Sequence, residues 1–128
     1  MKLNYRKIGG GRGDAYPDWL RSLKGKSGVY VIRVSSVFGG GVVYVGESHA
    51  GRLYETITRH FQTWSRNIND WHNWGRHTGH VYNRATASVA VVVTSKSKAI
   101  EKQYELIQRL RPRDNQIDGS GEVDEVPF

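Results

Sequence analysis

Apolar positions along this 128-residue chain fall into two rhythms, short β-branched runs and longer stretches of helical period. Gly28–Val34 (GVYVIRV) is β-branched or aromatic nearly throughout, and Val42–Val45 (VVYV) repeats that pattern after the turn-forming SSVFGGG. The pair predicts an antiparallel hairpin. The glycine run at 39–41 joins strand to strand and lacks a following Lys-Ser/Thr, so it reads as the hairpin loop rather than a phosphate cradle. From Arg52 to about Ser65 the period lengthens. At roughly 100° per residue, Leu53, Ile57, Phe61 and Trp64 share one face, with Arg52, Thr56, Arg59, His60 and Thr63 along its flank. Residues 66–84 show no period and read as an insertion or long loop. Ala85–Thr94 (ATASVAVVVT) predicts a third strand, and Ser95 or Ser97 caps a last helix that runs to Leu110 and is stopped by Pro112. The order strand, strand, helix, strand, helix predicts an α+β fold: a small, mainly antiparallel three-stranded sheet flanked by helices.

The two ends behave differently. Residues 1–26, with GGGRG at 9–13, read as a mobile or loosely docked lead-in, with a short helical turn at Asp18-Trp19-Leu20 after Pro17. Residues 27–117 form the expected domain, with the insertion at 66–84, and residues 118–128 form an acidic tail. All 19 Lys and Arg lie within residues 1–117, where only 8 acidic residues oppose them, a net of +11. That excess suggests a polyanionic partner. There are no cysteines, which excludes disulfides and thiolate zinc sites. No run approaches the roughly 18 apolar residues of a membrane span, and the N-terminal residues have no signal-peptide core. A cytoplasmic protein is the expectation.

With Gly28-Val29-Tyr30 in the first strand and Tyr44-Val45-Gly46 in the second, the sequence resembles the GIY-YIG nuclease family, whose name records these two tripeptides. The likeness runs from about Ser27 to Gln116. It rests on an ordered set: both tripeptides, a helix bearing Arg and His, a strand, then a helix ending in Pro and Asn. The resemblance implies a GIY-YIG-like fold and a metal-dependent endonuclease that hydrolyses DNA phosphodiesters with Mg²⁺ or Mn²⁺. It also implies that Tyr30 and Tyr44 line the cleft and that one of them helps activate the attacking water; which one stays open. A phenol, with a pKa of about 10 when free, serves that purpose only if a nearby cation lowers it. Without the resemblance, both tyrosines read as strand packing.

The family arrangement places an Arg one turn before a His, where it meets the charge developing on the scissile phosphate. Arg59-His60-Phe61 matches the His position, but one turn earlier stands Thr56. Arg52 and Arg59 flank Thr56 at i−4 and i+3, and either side chain is long enough to substitute. Arg52 ranks slightly ahead, with His60 and a tyrosine assisting proton transfer.

In the last helix the resemblance implies a metal-binding Glu three and four residues before an apolar pair, nine before Pro and twelve before Asn. Those spacings land on Gln103, before Leu106-Ile107, Pro112 and Asn115. Helical geometry puts Gln103 inside the apolar arc of Ile100, Tyr104, Leu106, Ile107 and Leu110, with Glu101, Glu105 and Gln108 roughly opposite. An amide keeps the shape of Glu and loses the charge, and hard cations prefer anionic oxygen. Hydrolysis is therefore expected to be impaired while fold and substrate docking persist. Two origins stay open: a deliberate replacement that traps uncut substrate, or a natural, weakened homologue. On the residues alone, Gln103 also reads as a core-edge side chain bonded to backbone. The nuclease reading requires both tyrosines, the arginine flank and position 103 to converge on one pocket.

Asn115 is expected to tie the helix end to the site, and Arg109, Arg111 and Arg113 to add phosphate contacts that position without specifying sequence. Within the insertion, Trp71 and Trp74 suit stacking on unpaired bases, or plain loop packing. His72, His77 and His80 lack the spacing of a zinc site. Single- or double-stranded DNA is the expected partner; oligomeric state stays open. The competing reading is a non-catalytic nucleic-acid-binding module derived from a nuclease.

Overall fold

The computed structural model describes residues 2–11, 13–35, 40–62 and 81–115. Its elements in chain order are β1 (Arg6–Lys7), α1 (Asp18–Arg21), β2 (Gly28–Val34), β3 (Gly41–Ser48), α2 (Leu53–Arg59), β4 (Ala87–Val93) and α3 (Lys96–Leu110). The fold is α+β, as the periodicities predict. Among the described residues the sheet holds four antiparallel strands, in the order β1-β4-β2-β3, rather than three. The fourth is the two-residue β1, which pairs Arg6 with Val89 and Lys7 with Ser88. A segment of alternating polar residues that short carries no strand signal of its own.

The predicted hairpin forms. In β2 and β3, Tyr30 pairs with Gly46 and Ile32 with Tyr44, and a bulge at Val43 then shifts the register so that Arg33 meets Val42. Because strand side chains alternate, β2 offers Tyr30 and Ile32 to one face and Val29 and Val31 to the other. α1 and α2 cover the first face: Leu20, Leu23, Leu53, Ile57 and Phe61 pack with Tyr30, Ile32, Tyr44 and Tyr82. α3 covers the second, where Leu106 and Ile107 pack on Val29, Val31, Val45 and Ala90.

Four local expectations change. α2 ends at Arg59 with His60 at its C-cap, not near Ser65, and residues 63–65 lie outside the described residues. The lead-in is not loosely docked along its length, since Ile8, Leu20 and Leu23 are buried in the core. Arg84, itself buried, donates hydrogen bonds to the Gly9, Asp14 and Ala15 carbonyls at 2.9, 2.7 and 3.1 Å. Its guanidinium also stacks 4.3 Å from the Tyr16 ring centre, so the end of the predicted insertion is the clasp for the lead-in. Ser95 occupies the N-cap of α3, but its side chain makes no capping bond.

Past α3, Arg111 takes a left-handed conformation (φ 48°) and donates its N–H to Ile107 O, the turn that lets the chain reverse. Residues 113–115 then run beside β3. Arg113 N and Asp114 N donate to the Val42 and Val43 carbonyls, and the Asn115 side chain pairs with both the N–H and the C=O of Val45, at 2.7 and 2.9 Å. One amide thus stands in for a strand residue and covers the open edge of the sheet.

Candidate functional site

The two glycines of the paired tripeptides have steric causes. A Cβ on Gly46 would overlap the Tyr30 phenol, which lies across the β3 backbone opposite it. A Cβ on Gly28 would overlap the Val92 carbonyl oxygen of the adjoining strand β4. Each substitution would require a backbone or a buried ring to move.

Tyr30 is fully buried and Tyr44 nearly so. With His60 and Tyr82 they form an aromatic cluster beneath α2: ring centres lie 6.2 Å apart for Tyr30–Tyr44, 5.6 Å for Tyr30–His60, 4.6 Å for Tyr44–His60 and 6.0 Å for His60–Tyr82. The Tyr30 hydroxyl and His60 Nε2 share a 2.8 Å hydrogen bond. Tyr82 extends the chain of polar contacts outward, donating its hydroxyl to Asp114 Oδ2 at 2.7 Å and its backbone N–H to His60 O. Burial raises the Tyr30 pKa well above its ordinary value near 10, and the neighbouring Tyr44, Tyr82 and Glu47 push the same way; Arg59 opposes them least strongly. Burial, then the bond to Asp114 and its negative charge, raise Tyr82 as well. Both phenols hold their protons at neutral pH, the direction opposite to that a water-activating phenolate requires.

On the other face, Gln103 sits in the middle of the arc of α3 that meets the sheet, among Ala99, Leu106, Ile107 and Leu110. It is half-buried, and its amide makes no hydrogen bond to another described residue. The backbone-bonded alternative for this glutamine therefore has no bond behind it among the described residues. Glu101, Glu105 and Gln108 are exposed, as the helical geometry predicts, and Lys98 and Lys102 pair with the two glutamates.

The predicted site residues are thus brought together in two groups. Tyr30, Tyr44 and His60 cluster on the α2 face, with Arg59 half-buried at the end of that helix. Asn115 docks on Val45, the central residue of the second tripeptide. Gln103 approaches the same hairpin from the opposite face, so the phenols and position 103 do not share one pocket. The reason is the two-residue period of a strand, which sends Tyr30 and Tyr44 away from the valines that α3 covers. Arg52 is exposed at the N-cap of α2, its backbone N–H held by Ser48 Oγ at 3.0 Å. Arg113 is committed to both carboxylate oxygens of Asp114, at 2.8 Å each, while Arg109 and Arg111 are exposed. Trp71 and Trp74 lie outside the described residues.

Residue reading missed Glu47, Tyr82, Arg84 and Asp114. Glu47 directly follows the second tripeptide; its side chain is only 13% exposed and pairs with His49 Nδ1 at 3.1 Å. Its place beside the tripeptide was the available signal. Tyr82 and Arg84 come from an aperiodic segment that offers none. A groove of about 240 Å³ opens on the α1 side of the sheet between Trp19, Leu23, Arg6 and the valines of β4, away from these motif residues.

A hard divalent cation prefers anionic oxygen. Position 103 offers a neutral amide, and the carboxylate of Glu47, which follows the second tripeptide, is already paired with His49. Among the described residues no three His, Cys, Asp or Glu side chains gather as a metal-holding group. The residues present do not fit Mg²⁺ or Mn²⁺ well. No protein-family model, curated protein or solved structure matches this chain. Among the described residues, no helix is long and apolar enough to cross a membrane.

Proposed function

We propose that this chain is a GIY-YIG-type endonuclease domain, built to hydrolyse DNA phosphodiesters with Mg²⁺ or Mn²⁺, in which Gln103 leaves hydrolysis impaired and substrate docking intact. The observation that carries the reading is Gln103 itself: an amide aimed at the hairpin of the two tripeptides, half open to solvent and without a hydrogen-bonded partner among the described residues. Such a position tolerates a carboxylate that reaches for an external ion, whereas a core glutamine is normally bonded to its surroundings. The docking of Asn115 on Val45 and of His60 on Tyr30 supports it, since both join segments of the ordered motif. Because the phenols and position 103 lie on opposite faces of the sheet, this reading gives up the single shared pocket: Tyr30 orients His60 within the fold rather than acting as the base, and Arg59 or Arg52 meets the developing phosphate charge.

A second reading, a nucleic-acid-binding module without catalysis, is favoured by the sealed phenols of Tyr30 and Tyr44. One substitution separates the two. Gln103→Glu, incubated with end-labelled single- and double-stranded DNA and Mg²⁺ or Mn²⁺, is expected to cleave at least about 100-fold faster than the parent chain, the scale of a restored charge at the reacting phosphate. Salt-sensitive binding by both forms, with no cutting by the Glu form across pH and metal, selects the binding module.

A further inference from the structure

The face that carries α3 also carries positive charge from the strands of the sheet. Lys7 of β1 and Arg33 of β2 both pair with Ser88 of β4, so the three side chains form one cross-strand row pointing to the α3 side. Lys7 and Arg33 are exposed, and among the described residues neither takes part in an ion pair. Two strand spacings separate them, roughly 9–10 Å. Arg33 is not a free-swinging cation: its guanidinium lies 4.3 Å from the centre of the Tyr5 ring, which itself packs against the core cluster of Val29, Val31, Val45 and Ala90. Stacking of this kind holds the planar group in place and leaves its N–H edge turned outward. Burial raises the Tyr5 pKa, and the charges of Arg33 and of Arg109, from the last turn of α3, oppose that rise.

We propose that Lys7 and Arg33, the latter held in place by the Tyr5 ring, form a phosphate track for a nucleic-acid strand passing along the α3 face. Charge complementarity favours this occupant. An anionic lipid surface would want apolar anchors beside the cations, and the exposed large hydrophobic residues, Val93, Ile100 and Tyr104, belong to the far end of β4 and the first two-thirds of α3. The track rests on the nucleic-acid reading of the domain, but its test needs no cleavage.

The experiment is fluorescence anisotropy of a labelled DNA strand and duplex against the full chain over a salt series. The parent is compared with the Lys7→Gln/Arg33→Gln pair and with an Arg21→Gln/Lys24→Gln pair that removes equal charge from the α1 side. The track predicts that the first pair binds about tenfold more weakly at low salt, with a slope of log affinity on log salt shallower by about two. The second pair stays within about twofold of the parent, and all three share one circular dichroism spectrum and melting temperature. Equal losses from the two pairs overturn the track and leave the nucleic-acid reading standing. A parent that binds no DNA at low salt removes that reading and the track together. Retention by anionic phospholipid vesicles, with no binding to DNA, assigns the face to a membrane surface and overturns the proposal.

Discussion

The two faces of this sheet are built from the same strands and yet do opposite things. The α2 face gathers large aromatic groups, Tyr30, Tyr44, Tyr82 and His60, and seals them, with the polar tips of Tyr30 and Tyr82 bonded to His60 and Asp114. The α3 face is floored by small aliphatic side chains, Val29, Val31, Val45 and Ala90, and leaves its polar groups open: half-buried Gln103, exposed Arg33 and Lys7. A buried hydrogen-bonded network is rigid and intolerant of change, because each lost partner strands another group away from water. Side chains at a wet margin are free to meet an external ligand. The motif tyrosines are therefore sealed within the fold, while Gln103, Arg33 and Lys7 on the α3 side stay open to solvent.

Substitutions should separate the faces sharply, and the largest effect falls on the sealed one. Gly46→Ala drives a methyl into the Tyr30 ring and is expected to destabilise the fold by about 3 kcal/mol, read from the midpoint of urea unfolding. A midpoint within experimental error of the parent would mean that Tyr30 is not locked against β3, and the contrast between the faces would fail.

Tyr30→Phe removes the hydroxyl and leaves His60 without that partner; a loss of about 1–2 kcal/mol at neutral pH is expected. The same residue gives a pH signature. Its pKa is raised in the folded chain, so the folded state keeps a proton that an unfolded tyrosine releases near pH 10. Its contribution is complete below about pH 10 and is lost as pH rises above that value. Alkaline unfolding should begin above about pH 10 in the parent, and Tyr30→Phe should show a shallower decline, as followed by tyrosine absorbance and circular dichroism together. A decline that begins on the acid side of pH 9 and is untouched by the substitution would point to another group.

The smallest effect belongs to the outer surface of α3. Lys98 and Glu101 pair at 3.7 Å with side chains 68% and 71% exposed. Glu101→Gln should cost less than about 0.5 kcal/mol, since solvent screens such pairs. A loss near that of Tyr30→Phe would show that the α3 surface is as tightly coupled as the aromatic cluster.

Much of the fold was legible because its signals are local. The β-branched runs around Tyr30, Tyr44 and Val91 mark their own strands, and α3 announces its end through Pro112. Gln103 stands out only through the pattern that the resemblance implies, whereas its sheet-facing placement follows from the 3.6-residue period. β1 was not legible, since two polar residues become a strand only when β4 lies beside them. Arg84 was hidden for the same reason: it sits in an aperiodic segment, and its role appears only when the chain some 70 positions earlier folds back onto it. The early end of α2 likewise reflects packing, as His60 turns into the cluster and its carbonyl takes the Tyr82 N–H.

Apart from β1, sequence alone determined the kinds of element, their order and the identity of the paired tripeptides, because periodicity and steric preference act between near neighbours in the chain. The tertiary structure decided which face each side chain serves: the phenols sealed with a histidine 30 positions away, and an asparagine bonded to a strand 70 positions before it. Those pairings join residues far apart in the chain, so their burial and protonation exist only once distant segments meet and exclude water between them.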